Sequence, residues 1–482
     1  MFKRKIFVPL AGLVILTMLL AACGPAPTPE TIEVEVPVEV EVTRIVEGEP
    51  EVVVVTATPE PEEPKEGPEV IIWWSHWANE PAKVAVIEKI AADYEAEHPD
   101  VDIVMTWWDK NPLREALRST MMAGEGYPDI TSDWCDIQHV EAGWCEPLTD
   151  VLPWENFNPG TELDANYADL GYPDNYKFNI GASYSMLFYN KEIFEELGIE
   201  VPDDYQFTSE EYLDVIQTCS DAGYAGWADA IGNRPYPGTW STEMPLWQIA
   251  GAEGFDKYRS GQQSWDTPEA RQVLEYSVAL RDAGLWPDVF ATLTIDEFHV
   301  YFHTQHQACM LFIPSWYAGR AFKPVEEGGQ DPNWHFGMMR FPSFEGGAGN
   351  DVQRVGFESG YHALSGTGHE ETAKDILRFA SQPKYGALWT AVTNIPSVIK
   401  YDPATDWPSA ELLEELGFEA GKWDWYWEEF NKVYAPVDTG MAPSPVCGEF
   451  EDAVVTALNE GLPQGLITVD EAVEILDSAL CE

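Results

Sequence analysis

At 482 residues the chain is too long for one ordinary core, and at about 100 to 200 residues per domain it divides into two or three. Its 83 acidic residues against 27 basic leave a net charge of −56, which makes nucleic acid a poor partner and opposes a strongly anionic ligand unless a local basic patch overrides the mean field. With 20 Trp, 20 Tyr and 21 Phe, folding needs no metal, and the charge itself reads as a soluble, self-repelling surface.

Lys3, Arg4 and Lys5 precede an apolar stretch from Ile6 to Leu20, and Leu20, Ala21, Ala22 and Cys23 close it. This predicts a lipoprotein signal peptide over 1–22, with Cys23 as the lipid attachment site; the apolar stretch is short for an uncleaved membrane helix. The expected location is the extracytoplasmic side of the cell envelope, with the membrane touched through the lipid alone. Residues 23–68 are rich in Pro, Glu, Val and Thr and hold no aromatic residue. Their Val/Glu alternation has the period of a strand, but Pro37 and Pro50 interrupt it and like charges repel, so a disordered acidic tether is predicted, with transient β pairing left open.

The folded part opens near Glu69. Val70–Trp74 is a short apolar strand, and 81–98 carries Ile87, Ile90, Ala91 and Tyr94 at helical spacing before HPD at 98–100 stops it. A strand at Val101–Met105, a helix capped by Asn111 and Pro112, and the turn GEGYPDI follow. Strand, helix, strand, helix, strand implies a parallel sheet with right-handed crossovers. In YSMLFYNKEIFEELGI (184–199) a buried strand at Met186–Tyr189 passes into a helix capped by Asn190 and ended by Gly198. Thr208 with Glu211, and Thr468 with Glu471, form capping boxes, and Thr267 with Pro268 opens another helix. Ala225–Ile231 and Ala308–Ile313 read as strands.

Several of these stretches, in this order, resemble the extracellular solute-binding proteins of sugar ABC transporters, a maltose-binding-protein-like family: DYEAEHPDVDI, AGEGYPDI, YNKEIFEELG, TPEARQVLEYSVALRDAG, QHQACMLFIPSW, GFESGYHAL, EETAKDILRFA and EAVEILDSAL. The likeness spans about residues 70 to 480. His306 stands where the family usually has Gly, which weakens the turn expected there. The resemblance implies an α/β, two-lobed periplasmic-binding-protein-like fold of type II, hinged, with lobe 1 at 69–183 and 357–430 and lobe 2 at 184–356 and 431–482. It also implies a monomer that captures a carbohydrate, expected to be an oligosaccharide, and delivers it to ABC permease subunits without catalysis, cofactor or metal.

With Cys23 on the lipid, six cysteines remain, and in an exported chain they suggest disulfides among 15 possible connectivities. Cys135–Cys145 is the most local pair, Cys447–Cys481 would clamp the terminal helices, and Cys219–Cys309 is left inside lobe 2. No CxxC pair favours zinc.

Ligands of open α/β sheets bind at the carboxyl ends of the strands. Those ends supply Trp74, His76 and Trp77, then Trp108 and Asp109, then Asp133 and Trp134; the second lobe supplies Trp227, Asp229, Trp240 and Trp316. Indole faces beside carboxylates suit a sugar, whose C–H face stacks while its hydroxyls donate. Glu358 in GFESG either binds ligand hydroxyls or stabilises a crossing turn. Trp423, Trp425 and Trp427 are assigned to packing, and His299, His303 and His306, at helical spacing, to a wet helix face. Two other functions stay open: a binding protein for a cationic solute such as a polyamine, and a secreted glycan hydrolase, since acidic pairs abound among 83 carboxylates.

Overall fold

The computed structural model describes residues 67–132, 134–161, 166–167, 171–441 and 448–481. The expected signal peptide, Cys23, nearly all of the tether, Asp133 and Cys447 lie outside the described residues. Among the described residues no helix is long and apolar enough to cross a membrane.

Among the described residues twelve strands form the sheets of the two lobes and a small hairpin: β1 (Glu69–Ser75), β2 (Val101–Trp107), β3 (Ile130–Ser132), β4 (Asn166–Tyr167), β5 (Tyr172–Asn175), β6 (Ala182–Tyr189), β7 (Ala225–Trp227), β8 (Ala308–Pro314), β9 (Gly337–Met339), β10 (Val352–Phe357), β11 (Tyr361–Ala363) and β12 (Asp438–Gly440). The first sheet runs β11-β3-β1-β2 and the second β12-β10-β6-β8-β7, with β9 also on β6; β4 and β5 pair apart. β1 is parallel to β2 and β3, as alternating strands and helices require, whereas β11 returns antiparallel. This is the two-lobed α/β architecture expected of the chain.

Local signals act as their chemistry dictates. Asn190 Oδ1 accepts from the backbone N–H of Glu192 and Ile193 at 3.0 and 3.2 Å, and Gly198 ends that helix at φ 67°. Both capping boxes form. The helix expected to start at Asn111 instead begins at Lys110, flanked by Asp109 in an extended conformation. His306 adopts φ 53° without being glycine; its ring meets the edge of Trp334 at 4.7 Å and Asn190 Nδ2 lies 3.2 Å from its Nδ1, so the turn forms with the side chain held.

The stretch GFESGYHAL divides between the two sheets. Val352–Phe357 belongs to the second sheet and Tyr361–Ala363 to the first, with Glu358 in the passage between them. That passage lies beside the earlier crossing: Phe178 and Tyr361 exchange backbone hydrogen bonds at 2.8 Å, and the Glu358 N–H donates to Gly181 O at 3.0 Å. A third segment joins them, with Ala182 N–H donating to Pro396 O at 2.7 Å. Beyond it the chain returns to the second lobe, where Asp424–Val433 packs on β9; Trp425 stacks on His335 and Trp423 on Phe322.

The terminal helices Gly448–Val454 and Val469–Asp477 pack with Pro268–Asp282 in a separate apolar cluster that includes Trp247. Disulfides join Cys135 to Cys145 and Cys219 to Cys309.

Candidate functional site: the interlobe cleft

A cleft of about 700 Å³ opens between the lobes, floored by Gly356–Ser359 of the second crossing. Of the strand-end residues, His76, Trp77, Asp109, Trp240, Trp316 and Glu358 line it. His76 is placed by Ser132, whose Oγ accepts its backbone N–H at 3.0 Å and stands 2.7 Å from its Nδ1. Asp109 accepts from Asn79 Nδ2 at 2.6 Å.

Trp74, Trp108 and Trp134 do not line the cleft. Successive strand side chains point to opposite faces, so Trp74 turns away from buried Trp73 and Ser75 and meets Trp108 at 5.1 Å. Together with Trp134, these rings pack among Leu113, Leu117 and Met121. Trp227 and Asp229 are core residues with no exposure: the indole stacks on Phe312, and burial pushes the Asp229 carboxyl well up. The histidine stripe is likewise no wet face. His299 and His303 are buried, and His303 is held by Tyr317 and the Gly328 carbonyl, with burial lowering it to about 4. Among the described residues no cluster of three or more His, Cys, Asp or Glu suits a metal ion.

The indoles differ in what they offer. Trp77 and Trp240 are only 1% and 5% exposed, so each presents an edge at most. Trp316 is half-buried at the end of β8, with the Arg320 guanidinium 5.5 Å from its ring centre. It is the ring face best placed for stacking.

Most of the wall's charge was not singled out in the sequence. Lys83, on the first turn of helix Pro81–Glu97, points its Nζ between Glu80 Oε2 at 2.8 Å and Glu358 Oε2 at 3.0 Å, with Trp77 beneath it at 4.9 Å. Burial alone would raise Glu80, but Lys83 and Arg320 outweigh it and hold the carboxyl at about 2. For Glu358 burial is the largest influence and the charge of Glu80 adds to it, so that Lys83 and the weaker pull of Lys110 do not offset them and its carboxyl is raised. Across the second lobe, Glu243 is shared by Arg259 and Arg354. A usable signal was the scarcity of cations: in a chain with 27, Lys83 stands between the apolar Ala82 and Val84 at the start of its helix.

A polar cleft between two α/β lobes, crossed by adjacent stretches of one chain, defines a two-lobed solute-binding protein. Residues 77–387 match the model of the bacterial extracellular solute-binding protein family, and the chain belongs to that family. It is 24% identical over 358 residues to the arabinooligosaccharide-binding protein of Halalkalibacterium halodurans, covering 70% of this chain and 72% of that one. Among solved structures it resembles one from a study of xylan utilization by the thermophilic bacterium Caldanaerobius polysaccharolyticus, with 20% identity and a TM-score of 0.68 over 86% of this chain and 100% of that one. A chitin oligosaccharide binding protein is similar at 18% identity and a TM-score of 0.67, over 85% and 97%.

Proposed function

We propose that the protein is a lipid-anchored receptor that captures an oligosaccharide in the interlobe cleft and presents it to an ABC permease, breaking no bond. The observation that carries this reading is the combination in one cleft of a half-buried indole, Trp316, with the carboxylates Glu80, Glu243 and Glu358. Ring face and acceptors are what a sugar's C–H face and hydroxyls match. A relative of similar length named for arabinooligosaccharides supports the same class. A ligand that touches both walls favours the conformation in which the walls are close, and only such a differential contact shifts that equilibrium.

A polyamine fits less well, because six lysines and arginines on the wall repel it. The hydrolase reading draws on the opposed titration of Glu80 and Glu358, a pattern that acid–base pairs share. Thermal unfolding against a panel of sugars, polyamines and amino acids tests all three: a ligand at about 100 times its Kd stabilises by about 2.7 kcal/mol. A shift with sugars that are recovered intact supports the receptor. Cleaved sugar supports the hydrolase, and a shift with polyamines alone overturns the carbohydrate.

A further inference from the structure

The charge on the cleft wall runs against that of the molecule. Six of the chain's 27 lysines and arginines line it, Lys83, Lys110, Arg234, Arg259, Arg320 and Arg354, against five of its 83 carboxylates. Near the first lobe Lys83 is matched by Glu80 and Glu358 and Arg320 by Glu80 and Asp296, while Lys110 donates to Ser359 Oγ at 3.5 Å. The second lobe leaves an excess. Glu243 meets Arg259 Nε at 2.8 Å and Arg354 Nη1 at 3.5 Å, one carboxylate against two guanidiniums, and Arg259 Nη1 is buried without an acceptor.

This recess is built by the backbone. Glu243 and Arg259 belong to one helical segment, Trp240–Arg259, and sixteen residues of straight helix would separate them by about 24 Å. The segment instead folds back at Gly251, at φ 69° and ψ −174°, a conformation essentially confined to glycine. On the returning arm Phe255 lies beneath Arg354, whose guanidinium is 4.5 Å from the ring centre, and Arg354 Nη1 reaches Ser185 Oγ at 3.5 Å. Two guanidiniums are thus gathered around a single anion at the wall of an open cleft.

A neutral sugar can offer hydroxyl oxygens to the Arg259 nitrogen but leaves the excess positive charge unmatched, which costs free energy in a partly buried site. A carboxylate meets both needs, because its two oxygens fit the planar fork of a guanidinium. We propose that this recess holds the carboxylate of a uronic acid residue, so that the ligand is an acidic oligosaccharide; the inference rests on the carbohydrate reading above.

The test is calorimetry of the full chain with oligogalacturonates and glucuronic-acid-substituted xylo-oligosaccharides, each beside its carboxyl-reduced counterpart, with a sulfated disaccharide as a separate arm. An acidic ligand is expected to bind at least about tenfold more tightly than its reduced form, as one charge-assisted hydrogen bond requires. In Arg354→Gln and Arg259→Lys, checked for folding by their thermal unfolding without ligand, that preference is expected to shrink. Equal binding of acidic and reduced forms overturns the uronate while leaving the carbohydrate reading intact, as does a preference unchanged in both variants. Tight binding of the sulfated sugar in place of the uronates overturns the carboxylate. Binding of no sugar, acidic or neutral, overturns both readings together.

Discussion

Arg320 and Glu80 meet across the cleft: the arginine's Nη2, carried by the second lobe, stands 3.6 Å from Oε1 of the glutamate that precedes helix Pro81–Glu97 in the first. Both side chains are largely buried, so salt screens the pair weakly. Arg320→Gln leaves Glu80 with Lys83 alone and Asp296 without its partner. The expected loss of unfolding free energy is about 3 kcal/mol by urea denaturation. A loss within experimental error would show that the contact ties nothing.

The acid limb of stability follows from Glu80. Its carboxyl lies at about 2 in the folded protein against 4.5 ordinarily. The unfolded chain therefore takes up a proton in that window before the folded one does. Its contribution, about 3 kcal/mol, is complete above the upper value and disappears as pH falls toward the lower. Glu358, raised by burial, works in the opposite sense and offsets part of the loss. Unfolding of the parent and of Glu80→Gln at pH 6, 4 and 3 should give a visibly shallower acid limb for the variant; parallel limbs would refute the assignment.

Trp316 and Trp77 should separate binding from folding. Trp316→Ala removes a half-buried ring and is expected to weaken sugar binding about tenfold, read by titration calorimetry. Trp77→Ala empties a site walled by Tyr361 and Trp389 and should cost about 3 to 5 kcal/mol of stability. The reverse pattern would move the platform elsewhere.

The two disulfides close loops of different length, 10 residues for Cys135–Cys145 and 90 for Cys219–Cys309. Paired Cys→Ser variants should lose about 3 kcal/mol at the short loop and between about 4 and 5 at the long one, by the entropy of chain closure. Denaturant unfolding under oxidising conditions measures both.

The sequence disclosed what local chemistry decides and little of what folding brings together. Asn190 with Gly198, and Thr208 with Glu211, announce helix ends because each cap lies within a few residues of its partner. The strand-end rule led to Trp316 and His76, yet also to Trp74 and Trp108, because chain position does not say which face an indole takes. Glu358 was legible as an alternative between wall and crossing turn, and it occupies both places. Glu243, Arg259 and Arg354 were out of reach: their meeting depends on the reversal at Gly251 and on a strand about a hundred residues away.

The lobes are stitched side by side at Phe178–Ala182, Glu358–Tyr361 and Pro396–Val398, so no single peptide bond holds the molecule together. A cut in the exposed stretch 402–405, beyond the last stitch, leaves the other two strands of chain passing between the halves. A protein nicked there should run as two bands on a denaturing gel and as one particle in solution, still able to close on what it carries.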